Sequence, residues 1–429
     1  MKKFIRTLIF ISLSFAGSSF AQQNKPPDVV AGIPVNYDES KVGEYTLPDV
    51  MALSDGTKVK DAKTWLAKRR PELIKLFEEN QFGKMPPRPR DLAFDVTDKG
   101  TPVFGGKAVR KLVTVYFTKD DQHKMDLAIY LPTNVKRVPL LLNISFSTPN
   151  QAIDDPGLPV GEIWGRDKKK TKADKPSPFP KLNIMPFLDA GFGFAVIYYG
   201  DIEPDFIDGL KSGGIRSVYL KPGQTEVAND EWGAISAWAW GLSRAMDYFE
   251  TDKQIDSKRV AIQGASRLGK TVLWAGAHDT RFALVIASVS GESGAAISRR
   301  NYGETVAHMT DPTRFFYQFA PNYHSYANRV NQLPFDGHSL VALIAPRPLL
   351  LQTGSTDGWS DPKGEFLSAV AAEPVYKLFG KRGPGTTVWP AAKDESLLLN
   401  DLGYYMHEGP HGVLADDWTK FLKYMQKFL

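Results

Sequence analysis

The stretch Arg259-Val260-Ala261-Ile262-Gln263-Gly264-Ala265-Ser266-Arg267-Leu268-Gly269-Lys270-Thr271 decides the fold. Its first five residues are a short apolar run that reads as a buried strand. From Leu268 to Ala277 there is no Pro, and Leu268, Val272 and Ala275 are apolar at helical spacing. A strand that bends sharply into a helix with Ser at the bend is the setting of a nucleophile elbow, which lifts the hydroxyl onto the rim of a sheet. Gly264 and Ala265 are small enough to let strand and helix approach closely. The same residues also satisfy Gly-x-x-x-x-Gly-Lys-Thr, the phosphate-cradling P-loop. As an elbow, the string has one residue too many before its last Gly. Read locally, both chemistries stay open.

The compartment weighs on that choice. Lys2, Lys3 and Arg6 precede the apolar run Leu8 to Phe15, and Ser19-Phe20-Ala21 carries small residues where a signal peptidase reads. The run falls short of the roughly 20 residues that a membrane anchor needs. Residues 1–21 therefore read as a cleaved signal, with Gln22 as the mature start and a periplasmic or extracellular destination. An exported protein meets no pool of nucleoside triphosphate, which counts against the P-loop. The chain has 53 basic and 48 acidic residues; the leader holds three of the basic and none of the acidic, so the mature net charge is +2. That balance argues for neither nucleic acid nor a membrane surface as partner. With no Cys there is no disulfide, no thiolate metal site and no lipidated N-terminus.

The remaining residues read as one catalytic domain: a wrapping segment and helix over 22–90, part of the same domain, followed by the catalytic body over 91–429. Residues 61–82 look helical, with Pro71 opening the second half. Residues 92–131 alternate as an antiparallel meander, with Val113, Val115 and Phe117 on one face and Leu127, Ile129 and Leu131 following. From Val138 onward, strands alternate with helices. Strands are predicted at Val138, Phe194, Val260, Ala283, Pro348 and near Tyr405, and a helix over 234–249 carries the stripe Ile235, Trp238, Leu242 and Met246. Continuous apolar strands separated by helices mean a mostly parallel central sheet covered on both faces. The class is α/β, with an α/β-hydrolase fold and N-terminal antiparallel strands. Residues 150–181 are a long loop, and its run Lys168-Lys169-Lys170 reads as solvated surface, although such loops also rim active sites.

In this fold the acid and the His follow the nucleophile in chain order. His278, His308, His324 and His338 precede the last strand, and His338 reads as a satisfied structural residue. His407 sits where that strand is still ending. His411, in Gly409-Pro410-His411-Gly412, is free to project over the elbow and is the favoured general base. Two carboxylates compete to orient it: Glu292 in Ser290-Gly291-Glu292-Ser293-Gly294, and Asp357 in Gly354-Ser355-Thr356-Asp357-Gly358. Each directly follows a strand. Arg267 offers its backbone N–H as an oxyanion donor and its guanidinium as a second, charged one. Lys270 follows on the same side, within reach of a polar substrate. Trp359, close to Asp357, could stack on a sugar ring.

These segments resemble the glucuronoyl esterases, a carbohydrate esterase family. The shared pattern Gly-x-Ser-Arg-x-Gly-Lys stands here as Gly264 to Lys270 and accounts for the extra residue in the elbow. Arg69-Arg70-Pro71-Glu72, Ala237 to Arg244, Ser298 to Glu304, Ala345-Pro346-Arg347-Pro348 and Asp361 to Phe366 are similar to bacterial members. The resemblance implies hydrolysis, without a metal or other cofactor, of esters joining (4-O-methyl-)glucuronic acid on xylan to lignin alcohols. It implies Ser266 as nucleophile, His411 as base and Arg267 as oxyanion group, with Lys270, Glu304 and Trp359 holding the uronate. Members place the acid after either strand, and this chain carries both Glu292 and Asp357. The enzyme is expected to act as a monomer. Where members show Gly-Asn-His this chain has Ser145-Phe146-Ser147-Thr148-Pro149-Asn150, and Phe315 to Phe319 also departs from the family's stretch. The alternatives are another exported carbohydrate esterase, such as an acetyl xylan esterase, or a non-catalytic xylan-binding relative.

Overall fold

A computed structural model describes residues 27–429, and the signal-peptide reading of residues 1–21 lies outside them. Among the described residues no helix is long and apolar enough to cross a membrane. Nine strands form one sheet: β1 (Ala93–Val103), β2 (Ala108–Tyr116), β3 (Lys124–Pro132), β4 (Val138–Ser145), β5 (Gly193–Tyr198), β6 (Ile255–Ala265), β7 (Leu284–Ser288), β8 (Leu349–Gly354) and β9 (Leu402–His407). Their spatial order is β9-β8-β7-β6-β4-β5-β3-β2-β1. The six strands β4 to β9 run parallel, and β1 to β3 add the antiparallel meander. After β4 the chain winds first to β5 on one side and then to β6 on the other. This leaves a crevice between β4 and β6 at their carboxyl ends, the place where open parallel sheets hold ligands.

Both faces of the sheet are covered, so its parallel strands are apolar throughout. On one face Val260 and Ile262 of β6 join a core with Phe77 of helix α1 (Arg70–Asn80), Trp238 of helix α2 (Ala234–Phe249) and Trp274 of helix α3 (Arg267–His278). On the other, Ala261, Leu284 and Ile286 pack with Phe421 and Tyr424 of the C-terminal helix α4 (Ala415–Phe428). The N-terminal segment belongs to the first core: Phe77 stacks on Phe335 at 3.9 Å between ring centroids, and Phe82 lies 4.7 Å from Trp274.

Two local features differ from the sequence-based expectation. The predicted helix over 61–82 is helical from Ala62 to Asn80, but Trp65–Arg69 is a π-turn. Pro71 lacks an N–H and crowds the preceding turn, and an extra residue in that turn relieves the conflict. The long loop contains a helical turn at Pro149–Ala152 and a hairpin, Glu162–Trp164 against Lys170–Lys172. Lys168, Lys169 and Lys170 are exposed, as expected of solvated surface, and two of them also have partners. Lys168 pairs with Asp208 at 3.0 Å, and the Lys170 ammonium sits 5.4 Å from the Trp164 ring centre.

At the junction of β6 and α3, strand and helix come into close backbone contact. A Cβ on Gly264 would lie 2.4 Å from the Leu268 carbonyl oxygen, and one on Gly269 would lie 2.6 Å from that of Ser288. Gly264→Ala is therefore expected to cost about 2–3 kcal/mol of stability by overpacking against rigid backbone. Urea denaturation checks this, and a loss below about 0.5 kcal/mol, the range of inert surface substitutions, contradicts it.

Candidate active site

Ser266 sits between β6 and α3 at φ 59° and ψ −126°, a left-side backbone conformation that a residue with a Cβ rarely adopts. It persists because the surroundings over-determine it. Its N–H donates to the Ser288 carbonyl at 2.9 Å, and its own carbonyl accepts from Lys270 N–H at 3.1 Å. The strand pairing and the first turn of α3 thus hold the bend from both sides.

The loops beyond β8 and β9 are stitched together by backbone bonds. Ser355 N–H donates to the His407 carbonyl at 3.0 Å and Thr356 N–H to that of Gly409 at 2.9 Å. The approach is so close that a Cβ on Gly354 would lie 2.5 Å from the Pro410 carbonyl oxygen. This stitching places Asp357 against His411, with Nδ1 to Oδ2 at 2.6 Å; the carboxylate is 4% exposed and the imidazole 42%. Ser360 Oγ adds a contact to the same ring nitrogen at 3.1 Å. Nδ1 is therefore committed, and Nε2 is the nitrogen left for proton transfer. His407 is held beneath, between Asp417 at 2.8 Å and the Pro410 carbonyl at 2.9 Å. His338 is buried, its Nε2–H donates to the Pro48 carbonyl at 2.9 Å, and its Nδ1 has no hydrogen-bond partner among the described residues.

Glu292 is directed elsewhere. It accepts from Ser293 N–H at 2.8 Å and from Ser298 Oγ at 2.6 Å, and burial pushes it up to about 8 against the pull of those bonds. Among the described residues it makes no hydrogen bond to His411. Of the two carboxylates that the sequence left in competition, Asp357 is the one that meets the imidazole.

Arg267 opens α3, where a cation faces the positive end of the helix dipole. Asp205 compensates: its carboxylate meets the guanidinium at 2.5 Å. Burial works against the charge, yet Asp205 and nearby Tyr199 and Tyr317 hold Arg267 well above its ordinary range. Lys270 is 4% exposed; burial lowers its pKa, while Glu304 pulls the other way. Glu304 is raised by burial and drawn down by Lys270 and Arg314, the latter in contact at 2.9 Å. Glu304 N–H donates to the Trp359 carbonyl at 2.8 Å, and the Trp359 ring lies against His308 and Arg314. Lys270, Glu304 and Trp359 thus belong to one polar neighbourhood on the α3 side of the nucleophile. Asp205, Tyr317, Gln318, Ser360 and Glu365 were given no role from the sequence; Tyr317 and Gln318 lie in the segment noted only as a departure from the family, and Glu365 in one noted only as a likeness to it.

On the opposite face of the sheet, Ser266 and His411 open onto a cavity of about 610 Å³. Its walls are largely apolar, with Phe146, Phe179, Val413, Trp418 and Leu422 among them. Phe146 and Phe179 stack at 5.3 Å. Neither Lys270, Glu304 nor Trp359 lines it. The nucleophile and imidazole therefore stand between a polar, charged side and an apolar side.

Comparison with known proteins places this arrangement. Residues 227–380 match the family model described as glucuronyl esterase, fungi. A carbohydrate esterase from an unknown prokaryotic organism is 45% identical over 400 residues, covering 91% of each chain. The structure of a glucuronoyl esterase from Solibacter usitatus superposes with a TM-score of 0.85 at 44% identity, covering 91% of this chain and 99% of that one. A 4-O-methyl-glucuronoyl methylesterase from Phanerochaete carnosa is 26% identical over 358 residues, or 82% of this chain and 74% of its own.

Beneath the site, Glu365 accepts from Gly291 N–H at 2.7 Å and Ser290 Oγ at 3.2 Å, and burial pushes it up to about 8. An unfolded Glu titrates near 4.3. Between those values the folded chain keeps a proton that the unfolded chain releases. This contribution to stability is complete below about pH 4 and is lost as pH rises through about 8. Glu365→Gln, an isostere of the neutral acid, is expected to remove that slope. Its Tm relative to the parent should become steadily more favourable from about pH 5 to about pH 8 and level off above that. A Tm difference that stays constant with pH contradicts the assignment.

Proposed function

The chain belongs to the glucuronoyl esterases, and from that premise we propose that it hydrolyses esters of (4-O-methyl-)D-glucuronic acid, as in lignin–glucuronoxylan linkages, with Ser266, His411 and Asp357 as its triad. The 2.6 Å contact between His411 Nδ1 and Asp357 Oδ2 carries this reading, because it commits Nδ1 and leaves Nε2 for proton transfer on a ring that lines the same cavity as Ser266. It acts as an exported, monomeric, single-domain enzyme, with residues 1–21 as its leader.

The proposed reaction runs in two acyl-transfer steps. Ser266 Oγ attacks the C6 carbonyl carbon as His411 Nε2 takes its proton, and the Asp357 carboxylate stabilises the imidazolium. The tetrahedral oxyanion faces the Arg267 backbone N–H and guanidinium. Collapse expels the alcohol, which takes its proton from His411. Water then gives a proton to Nε2, attacks the acyl-enzyme, and returns Ser266 and the free uronic acid. Lys270 and Glu304 offer a donor and an acceptor for the sugar hydroxyls, and the Trp359 ring a face for the sugar. The apolar cavity across the sheet suits the departing alcohol.

Ser266→Ala should reduce hydrolysis of benzyl glucuronate by at least about 10³-fold with an unchanged circular dichroism spectrum; normal turnover overturns the assignment. Asp357→Ala should lower kcat by about 10²–10⁴-fold. Glu292→Gln, which keeps the acceptor for Ser298, should lower it by less than about tenfold. Equal losses from the two acids contradict the pairing seen here. If the apolar cavity takes the alcohol, benzyl glucuronate should exceed the methyl ester in kcat/KM by about tenfold, and Leu422→Asn should narrow that ratio. A ratio unaffected by Leu422→Asn places the alcohol elsewhere.

A further inference from the structure

A guanidinium at the start of a helix has several rotatable bonds and a repulsive dipole behind it, so something must decide where it points. In this structure the deciding group is on another segment. Asp205 lies in Ile202-Glu203-Pro204-Asp205-Phe206, just past the carboxyl end of β5, and its side chain is 8% exposed. Each of its oxygens accepts two hydrogen bonds. Oδ2 takes Arg267 Nη1 at 2.5 Å and Tyr199 Oη at 2.9 Å. Oδ1 takes Tyr317 Oη at 2.8 Å and Gln318 Nε2 at 2.9 Å. Donors from three separate segments thus converge on one carboxylate and fix its plane. The guanidinium is further confined by Phe315, 4.7 Å from its central carbon, and Phe146 at 6.0 Å. Among the described residues its other nitrogens carry no hydrogen bond, so they remain available to a ligand.

We propose that Asp205, braced by Tyr199, Tyr317 and Gln318, is a positioning residue that aims the Arg267 guanidinium at the oxyanion formed on Ser266. The inference rests on the reading of Arg267 given above and adds the part that holds it. Asp205 touches no reacting atom. Its negative charge, taken alone, opposes an oxyanion nearby, so its benefit lies in direction. A catalytic group displaced by about 1 Å forfeits on the order of 10²-fold in rate. A positioned donor that acts only on developing charge changes kcat and leaves ground-state binding alone.

A double-mutant cycle on benzyl glucuronate tests this. Asp205→Asn is expected to lower kcat about 10- to 100-fold with KM within about threefold of the parent. In an Arg267→Ala background the same substitution should change kcat by less than about threefold, because the group it aims is gone. Tyr317→Phe, which removes one brace and keeps the ring, should reproduce a smaller kcat loss that also vanishes without Arg267, and it carries the test if Asp205→Asn does not fold. An unchanged or raised kcat, a loss confined to KM, or a full loss persisting in the Arg267→Ala background overturns the proposal and leaves Asp205 as a structural ion pair. If Arg267→Ala itself retains the parent kcat, the oxyanion reading fails and this inference falls with it.

Discussion

The backbone of Ser266 is held in a conformation that costs energy, and the molecule is arranged to keep it there. The bend requires that a strand and a helix come almost into contact, which is why Gly264 and Gly269 flank it and why any side chain at either would strike a carbonyl oxygen. A free peptide would relax by rotating Ser266 back to a negative φ. Here the pairing of β6 with β7 and the burial of Leu268, Val272 and Trp274 on α3 prevent that relaxation. Core packing far from the reaction therefore maintains strain at the point of reaction.

Around that point, buried charge is managed in two different ways. Some carboxylates are gripped by donors that include a cationic or imidazole partner: four donors converge on Asp205, and His411 meets Asp357. Others, Glu292 and Glu365, have only neutral donors and are pushed up to about 8 by burial. The division has a functional consequence. Carboxylates of the first kind touch the imidazole and the guanidinium, the two groups with cationic roles in the proposed cycle. Those of the second kind pack the floor beneath them, where a hydrogen-bonded neutral acid serves as well as an amide.

Much of this was legible in the sequence, for physical reasons. Buried parallel strands are apolar runs of a length that leaves little ambiguity, and the alternation in β1 to β3 marks a half-exposed meander. The elbow was legible because its close approach demands small residues at defined offsets from Ser266. His411 stood out because it alone follows the last strand on a flexible turn. What stayed hidden depends on contacts between distant segments. Glu292 and Asp357 follow adjacent parallel strands and look equivalent in one dimension. The backbone bonds joining 354–357 to 407–410 separate them, and no local pattern encodes those bonds. Asp205 escaped notice because its partners sit at positions 199, 267, 317 and 318. The hairpin at 162–172 has only three residues per strand, too few for alternation to register.

The central claim is that one serine hydroxyl, held out by a strained bend, is made nucleophilic by His411. Labelling with a fluorophosphonate probe followed by peptide mass spectrometry tests this most directly, because the probe phosphonylates an activated serine with loss of fluoride and needs no particular substrate. The account expects one adduct per chain, on Ser266, with labelling abolished in Ser266→Ala and slowed by at least about 10²-fold in His411→Ala. Labelling on another residue, or at an undiminished rate without His411, would contradict it.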